Sequence, residues 1–96
     1  MLFLVILTDR PDTASLRQQW LAKHVEWLKQ QTAVRQAGSL REAPDASPVG
    51  GCWIVEAADA AAVSALLQAD PFWAIGLRET VRILHWSVIY PERLQA

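Results

Sequence analysis

The segment LFLVIL, residues 2–7, decides the fold class of this chain. Every residue in it is apolar, so a β-strand formed by this segment carries apolar side chains on both of its faces. The segment CWIVE, residues 52–56, has a similar character and follows Gly50 and Gly51. Two such strands predict a sheet whose two faces are both covered.

Helices are predicted between the strands. The first has Thr13 or Ser15 as its N-cap and runs to about Gln31. The second has Asp59 as its N-cap and follows the strand at residues 52–56. A short helical turn is predicted over residues 70–76, with the aspartate as its cap, the proline in its first position and the glycine at its end.

Two further strands complete the pattern. Residues 32–42 predict a strand that is interrupted or kinked at Gly38. Residues 79–90 predict a long last strand, in which the alternation of apolar residues slips between Ile83 and Leu84. The slip predicts either a β-bulge or burial on both faces.

The resulting order of elements, βαββαβ, predicts an α+β fold of the ferredoxin-like type, with a four-stranded antiparallel sheet and both helices on one face. At 96 residues the chain is expected to form one domain, residues 1–96. The bare face of the sheet, the 52% apolar content and the five tryptophans predict a homodimer that packs through this face. A monomer with an apolar surface is the alternative.

Composition excludes several classes of partner. The net charge is −1, with nine basic and ten acidic residues and no basic stripe, so nucleic-acid binding is not expected. The apolar segment at residues 2–7 is too short to span a bilayer and lacks the features of a signal peptide. A soluble, cytoplasmic protein is therefore expected. The single cysteine, Cys52, is interpreted as an inert buried thiol.

Two polar residues lie on the apolar face of the first predicted helix. His24 lies within the stripe, and Arg17 lies seven residues before it on the same line. Burying either side chain without a partner costs a few kcal/mol, about 2–7 for a neutral polar group. Asp70 is the best available partner, since one carboxylate can cap its short helix and also accept a hydrogen bond from an imidazole. These residues predict a small polar pocket in an otherwise apolar domain.

Each of these residues has a chemical role and an ordinary one. His24 is a candidate general acid or base, with Asp70 fixing its tautomer, and the alternative is a histidine satisfied within the core. Arg17 is a candidate for binding a substrate oxygen, and the alternative is that its guanidinium group lies in water. Ser39 is a candidate substrate contact or a small strand residue. His85, which points away from the face of Trp86, is interpreted as a surface or interface histidine.

Metal and phosphate sites are not expected. Neither histidine has a partner at metal-ligand spacing, and the adjacent glycines at positions 50 and 51 precede a strand rather than a helix. No metal or organic cofactor is therefore called for by the sequence.

From end to end the chain resembles the YCII-related family of small bacterial proteins. The resemblance lies in the opening strand at residues 1–9, the spacing of Arg17 and His24, the Ala37-Gly38 pair, the segment DPF at residues 70–72, and Trp86. It implies a dimeric α+β barrel with a His–Asp pair, His24 and Asp70, thought to be catalytic. In one branch of the family it implies the elimination of chloride from a chlorinated aromatic compound.

The leading functional hypothesis is therefore a small homodimeric enzyme without a cofactor, which uses His24 and Asp70 for isomerisation or elimination on a small organic, anionic or cyclic substrate. Arg17 and Ser39 would bind that substrate. The alternative is a non-catalytic module that binds a small molecule or a partner protein, with His24 and Asp70 as a structural pair. A haem-binding relative with His24 on iron is a third, fold-based alternative.

Overall fold

A computed structural model describes residues 1–91 and confirms the predicted order of strands and helices. The elements are β1 (Leu2–Asp9), α1 (Ala14–Leu28), β2 (Val34–Leu40), β3 (Gly50–Glu56), α2 (Ala60–Gln68), α3 (Pro71–Ala74) and β4 (Arg78–His85). The four strands form one antiparallel sheet in the order β2-β3-β1-β4. This is the ferredoxin-like arrangement that the sequence predicts. Residues 92–96 of the predicted domain lie outside the described residues.

The hydrophobic core lies between one face of the sheet and the two longer helices. Alternate residues of β1 and β3 supply the sheet side of this core, and α2 supplies fully buried apolar residues opposite them; together they are Phe3, Val5, Leu7, Trp53, Val55, Val63 and Leu67. Trp27 and Leu28, at the end of α1, pack against the same cluster. Both central strands therefore place every second side chain under the helices.

Within residues 1–91, the opposite face of the sheet carries no helix. Leu4 and Ile6 of β1 and Cys52 of β3 point to this open face and are half-buried. Full coverage of both faces, as the apolar strands predict, is thus not reached within a single chain. A groove of about 390 Å³ runs along the open face beside Trp86.

The helix boundaries and caps differ from the prediction mainly at α1. This helix ends at Leu28, three residues before Gln31, and the Thr13 side chain donates to the Arg10 carbonyl at 2.6 Å instead of capping it. Asp59 does cap α2, since its carboxylate accepts from the Ala62 amide at 2.8 Å. The short α3 also follows the prediction, with Pro71 in its first turn and, beyond its end, Gly76 at φ 72°.

The irregularities of β2 and β4 do not lie at the positions that the sequence predicts. The register of β2 is continuous through Gly38 and shifts between Val34 and Gln36. β4 is continuous through Ile83 and Leu84, and the register shift of the β1–β4 pair lies between Thr8 and Asp9. The prediction of a kink at Gly38 and of a bulge at Ile83 is therefore wrong. Both Ile83 and Leu84 are half-buried, which fits the alternative reading of the slip.

β4 ends at His85 rather than at residue 90. The Trp86 amide still donates to the Leu2 carbonyl at 3.0 Å, but within residues 1–91 the residues after it pair with no neighbouring strand. The apolar alternation of the sequence continues past the point at which the sheet ends. His85 is exposed, as predicted, and its ring centroid lies 4.7 Å from that of Phe3.

The most buried residues of α1 are polar. Arg17 and His24 are only 8% and 7% exposed, whereas Leu21 and Val25, which the apolar stripe places beside them, are 37% and 39% exposed. The helix therefore turns its polar pair toward the sheet and leaves part of its apolar stripe facing open space. Within residues 1–91, no helix combines the length and apolar character needed to cross a membrane.

Candidate functional site

A cavity of about 520 Å³ lies between α1 and the edge of the sheet formed by β2 and the loop that follows it. Its volume falls within the range of small-molecule sites, about 300–1,000 Å³. It is lined by residues of α1, β2, the β2–β3 loop, β3 and β4: Ala14, Arg17, Gln18, Leu21, His24, Val25, Leu28, Ala37, Gly38, Ser39, Arg41, Asp45, Ala46, Ser47, Pro48, Trp53 and Arg78. The exposed apolar side chains of α1 thus form one wall of a cavity.

His24 and Asp70 form a buried pair beside this cavity. The Nδ1 atom of the imidazole lies 2.7 Å from Oδ1 of Asp70. The same oxygen accepts the Phe72 amide at 3.0 Å, so one carboxylate caps α3 and also holds the imidazole. Asp70 is 2% exposed and lies behind the imidazole. Because Nδ1 is occupied, Nε2 of His24 is the nitrogen left for a ligand in the cavity.

The orientation of the imidazole is also fixed by aromatic rings. The ring of Phe72 stacks on that of His24, with centroids 4.0 Å apart and planes 11° from parallel. The indole of Trp53 lies on another side, with its centroid 6.1 Å from that of the imidazole. The segment DPF therefore acts twice on His24, through the carboxylate of Asp70 and the ring of Phe72.

A second buried cluster joins three charged side chains. Asp9 accepts from Nε of Arg17 at 3.0 Å through one oxygen and from Nη1 of Arg78 at 2.8 Å through the other. Nη2 of Arg17 also donates to the Gly50 carbonyl at 3.1 Å. Burial lowers the pKa of Arg78, and the hydrogen bond to Asp9 opposes this effect. Two guanidinium groups share one carboxylate, so the cluster carries a net positive charge.

The two clusters meet at Phe72. The Cζ atoms of Arg17 and Arg78 lie 5.2 Å and 5.1 Å from the centroid of its ring, within the range of cation–π contact. The imidazole of His24 stacks on the same ring. One aromatic side chain therefore contacts all three basic groups of the site.

The structure brings the four residues singled out from the sequence to one region. His24, Arg17 and Ser39 line the cavity, and Asp70 lies behind His24. Ser39 faces the cavity near its mouth, and its hydroxyl accepts from Arg41 at 3.2 Å.

Sequence reasoning missed Asp9, Arg78 and Arg41. The sequence analysis gives Asp9 no role, and nothing local marks Arg78 as buried. A charged residue directly after an apolar strand was the available signal for Asp9, but its partner lies 69 positions away in the chain. Among the described residues, no group of three or more His, Cys, Asp or Glu side chains is arranged to hold a metal ion.

The YCII-related domain family profile matches residues 1–87. The chain belongs to this family. The resemblance carried by the Arg17–His24 spacing and the segment at residues 70–72 is thus confirmed. A search of curated proteins by sequence found no match.

Solved structures support the same fold for this YCII-related protein. The 5-chloro-2-hydroxyhydroquinone dehydrochlorinase TftG from Burkholderia phenoliruptrix AC1100, in complex with 2,5-dihydroxybenzoquinone, is 27% identical and superposes with a TM-score of 0.81 over 90% of this chain and 93% of its own. SnoaB, a cofactor-independent oxygenase from Streptomyces nogalater, is 15% identical, with a TM-score of 0.56 over 95% and 96% of the two chains. Both neighbours are named as enzymes, one a dehydrochlorinase and the other a cofactor-independent oxygenase.

Proposed function

We propose that this YCII-related protein is a small-molecule enzyme in which His24 transfers a proton and Asp70 orients it. The reaction class is isomerisation or elimination on a small cyclic, anionic or hydroxylated organic substrate. A homodimer formed through the open sheet face is the proposed assembly. No step of this chemistry requires a metal or an organic cofactor.

The observation that carries the proposal is the arrangement of the two imidazole nitrogens. Nδ1 of His24 is held by the buried carboxylate of Asp70 at 2.7 Å, and Nε2 is left on the side of a cavity of about 520 Å³. A neutral imidazole with Nδ1 protonated presents a lone pair at Nε2, which is the form that a general base requires. The stacked ring of Phe72 prevents the imidazole from turning away.

The electrostatics of the cavity favour a substrate with a negatively charged oxygen. Arg17 is held by Asp9 and by the Gly50 carbonyl, and within residues 1–91 its Nη1 group has no hydrogen-bond partner. That group is available to a substrate oxygen, as is the hydroxyl of Ser39 at the mouth. The 27% identity to a dehydrochlorinase that binds a dihydroxyquinone supports a hydroxylated ring as the substrate class.

The proposed elimination is balanced without an external oxidant. Nε2 of His24 takes a proton from the substrate, the electron pair left behind forms a new π bond, and the bond to the leaving group breaks. The leaving group departs with its electron pair, as chloride does in a dehydrochlorination. Asp70 stabilises the imidazolium that forms, and the proton is then released to solvent.

The test is chloride release from 5-chloro-2-hydroxyhydroquinone, the substrate named for the structural neighbour TftG. His24→Gln is compared with His85→Gln, because His85 is the other histidine of the chain and is exposed. We expect turnover by the wild type and by the His85 variant, and a loss of about 10²–10⁴-fold in the His24 variant.

Two other outcomes would contradict the catalytic role. Equal chloride release by the wild type and His24→Gln would show that the imidazole does not transfer the proton. Tight binding of 2,5-dihydroxybenzoquinone without turnover of any related ring would favour the alternative of a binding module, with His24 and Asp70 as a structural pair.

A further inference from the structure

Trp53 carries a hydrogen-bond donor that the protein does not use. The residue is 1% exposed and lines the cavity, and within residues 1–91 its indole N–H donates to no acceptor. In the same range, the only fully buried side-chain nitrogen or oxygen without a partner is Nε of Arg78. The small exposed area of Trp53 therefore includes its N–H group, which reaches the cavity.

Gly51 lies beside this donor and beside the guanidinium of Arg78. A Cβ atom placed on Gly51 would lie 3.6 Å from the indole nitrogen of Trp53 and 3.7 Å from Nη1 of Arg78. It would also lie 3.2 Å from the carbonyl oxygen of Gly38. Among the glycines of residues 1–91, only Gly76 has a positive φ. The backbone conformation of Gly51 therefore does not require glycine. A side chain at this position would crowd the Gly38 carbonyl and contact both donors, so glycine leaves the two N–H groups uncovered.

Arg78 supplies a second hydrogen-bond donor beside the indole. Arg78 donates to Asp9, which also accepts from Arg17, and the charge of Asp70 acts on Arg78 as well. Each terminal nitrogen of a guanidinium has two N–H groups, so Nη1 of Arg78 retains one after bonding Asp9. A bound anionic oxygen would accept from this N–H group and from the indole N–H at the same time.

We propose that the part of the cavity wall formed by Trp53 and Arg78, beside Gly51, is an oxyanion subsite that binds a phenolate oxygen of a ring substrate. The indole and guanidinium donate to this oxygen, and the remainder of the ring extends along the indole toward His24. The subsite rests on the proposed function only in placing the substrate in this cavity. It makes phenolate binding a property of three residues that are distinct from the proton-transfer pair.

Binding of 4-nitrophenolate tests this subsite without turnover. The dissociation constant is measured by titration calorimetry above the pH at which the phenol ionises, with 4-nitroanisole as the neutral analogue. Gly51→Ala adds one methyl group between the two donors, and its fold is checked by circular dichroism. We expect affinity to fall about tenfold or more in this variant, as is usual when hydrogen bonds to a charged group are lost.

Charge is tested separately with Arg78→Gln, for which Arg82→Gln is the matched control. Both variants remove one positive charge from β4, but Arg82 is exposed and its register with Ile6 places it on the open face of the sheet. We expect weaker 4-nitrophenolate binding in the Arg78 variant and unchanged binding in the Arg82 variant.

A spectroscopic readout in the wild type keeps the test independent of any variant's stability. On addition of 4-nitrophenolate, the indole N–H resonance of Trp53 is expected to move to lower field, and those of Trp20 and Trp73 are expected to stay in place. An unmoved Trp53 resonance, absence of binding, or equal affinity for 4-nitroanisole would overturn the subsite. Unchanged phenolate binding by His24→Gln, together with lost turnover, would separate this subsite from the catalytic proposal.

Discussion

Replacing Asp70 tests how much the buried pair contributes. In Asp70→Asn the amide oxygen can still accept the Phe72 amide, but the charge that holds His24 at 2.7 Å is lost. Hydrogen bonds to a charged group contribute about 1.5–3 kcal/mol, so this is the expected fall in the free energy of unfolding. Asp70→Ala also removes the cap of α3 and should cost about 0.5–2 kcal/mol more.

The chain offers a matched control for these two substitutions. Asp59 caps α2 through the Ala62 amide at 2.8 Å, but it is exposed and has no imidazole partner. Asp59→Asn should therefore be nearly neutral, and Asp59→Ala should show the cost of a cap alone. The difference between the two asparagine variants isolates the interaction of Asp70 with His24.

Urea unfolding followed by circular dichroism measures these differences. With a slope of about 1–3 kcal/mol/M, the Asp70→Asn midpoint should fall by roughly 1 M. The ¹⁵N chemical shifts of His24 supply a second readout, because the wild type should hold the proton on Nδ1 and the variant should lose that preference. If asparagine at position 70 costs no more than asparagine at position 59, and the tautomer is unchanged, the reasoning about the pair is wrong.

Two further predictions concern the charged cluster and the open face. Asp9→Asn leaves the guanidinium groups of Arg17 and Arg78 without their shared carboxylate and should cost about 3–5 kcal/mol in urea unfolding. Glu56→Gln removes a surface ion pair with the N-terminus and Arg35 and should shift the midpoint far less, because surface ion pairs contribute little to stability. Equal midpoints for the two variants would contradict this. Leu4→Glu places a charge on the open face and should prevent dimer formation. Sedimentation should give a mass of twice 10.7 kDa for the wild type and the mass of a single chain for the variant. A monomeric wild type would refute the dimer.

Local patterns predicted the parts of the fold that depend on neighbours in sequence. Asp59 and Asp70 were identifiable as caps because a cap needs only an aspartate placed before a helix. The polar line through Arg17 and His24 was visible because residues seven apart share one face of a helix. The segment at residues 70–72 supplied the partner for His24, since Asp70 has spare acceptor capacity after capping.

What the sequence did not predict depends on contacts between distant segments. Asp9 meets Arg78 only because β1 and β4 pair in a register that shifts between Thr8 and Asp9. β4 ends at His85, although the apolar alternation of the sequence continues beyond this residue. Pairing partners, rather than apolar alternation, decide where a strand ends.

The burial of α1 explains why a polar site can exist in so small a domain. The most buried positions of the helix are occupied by Arg17 and His24. The cost of burying these polar side chains is offset because Asp9 and Asp70 accept their hydrogen bonds. The ring of Phe72 contacts the imidazole and the guanidinium of Arg17 together, so the two buried pairs share one apolar support. The proton-transfer pair and the positively charged cluster are therefore one packed unit, and the cavity beside them has a base and an anion-binding group at fixed positions.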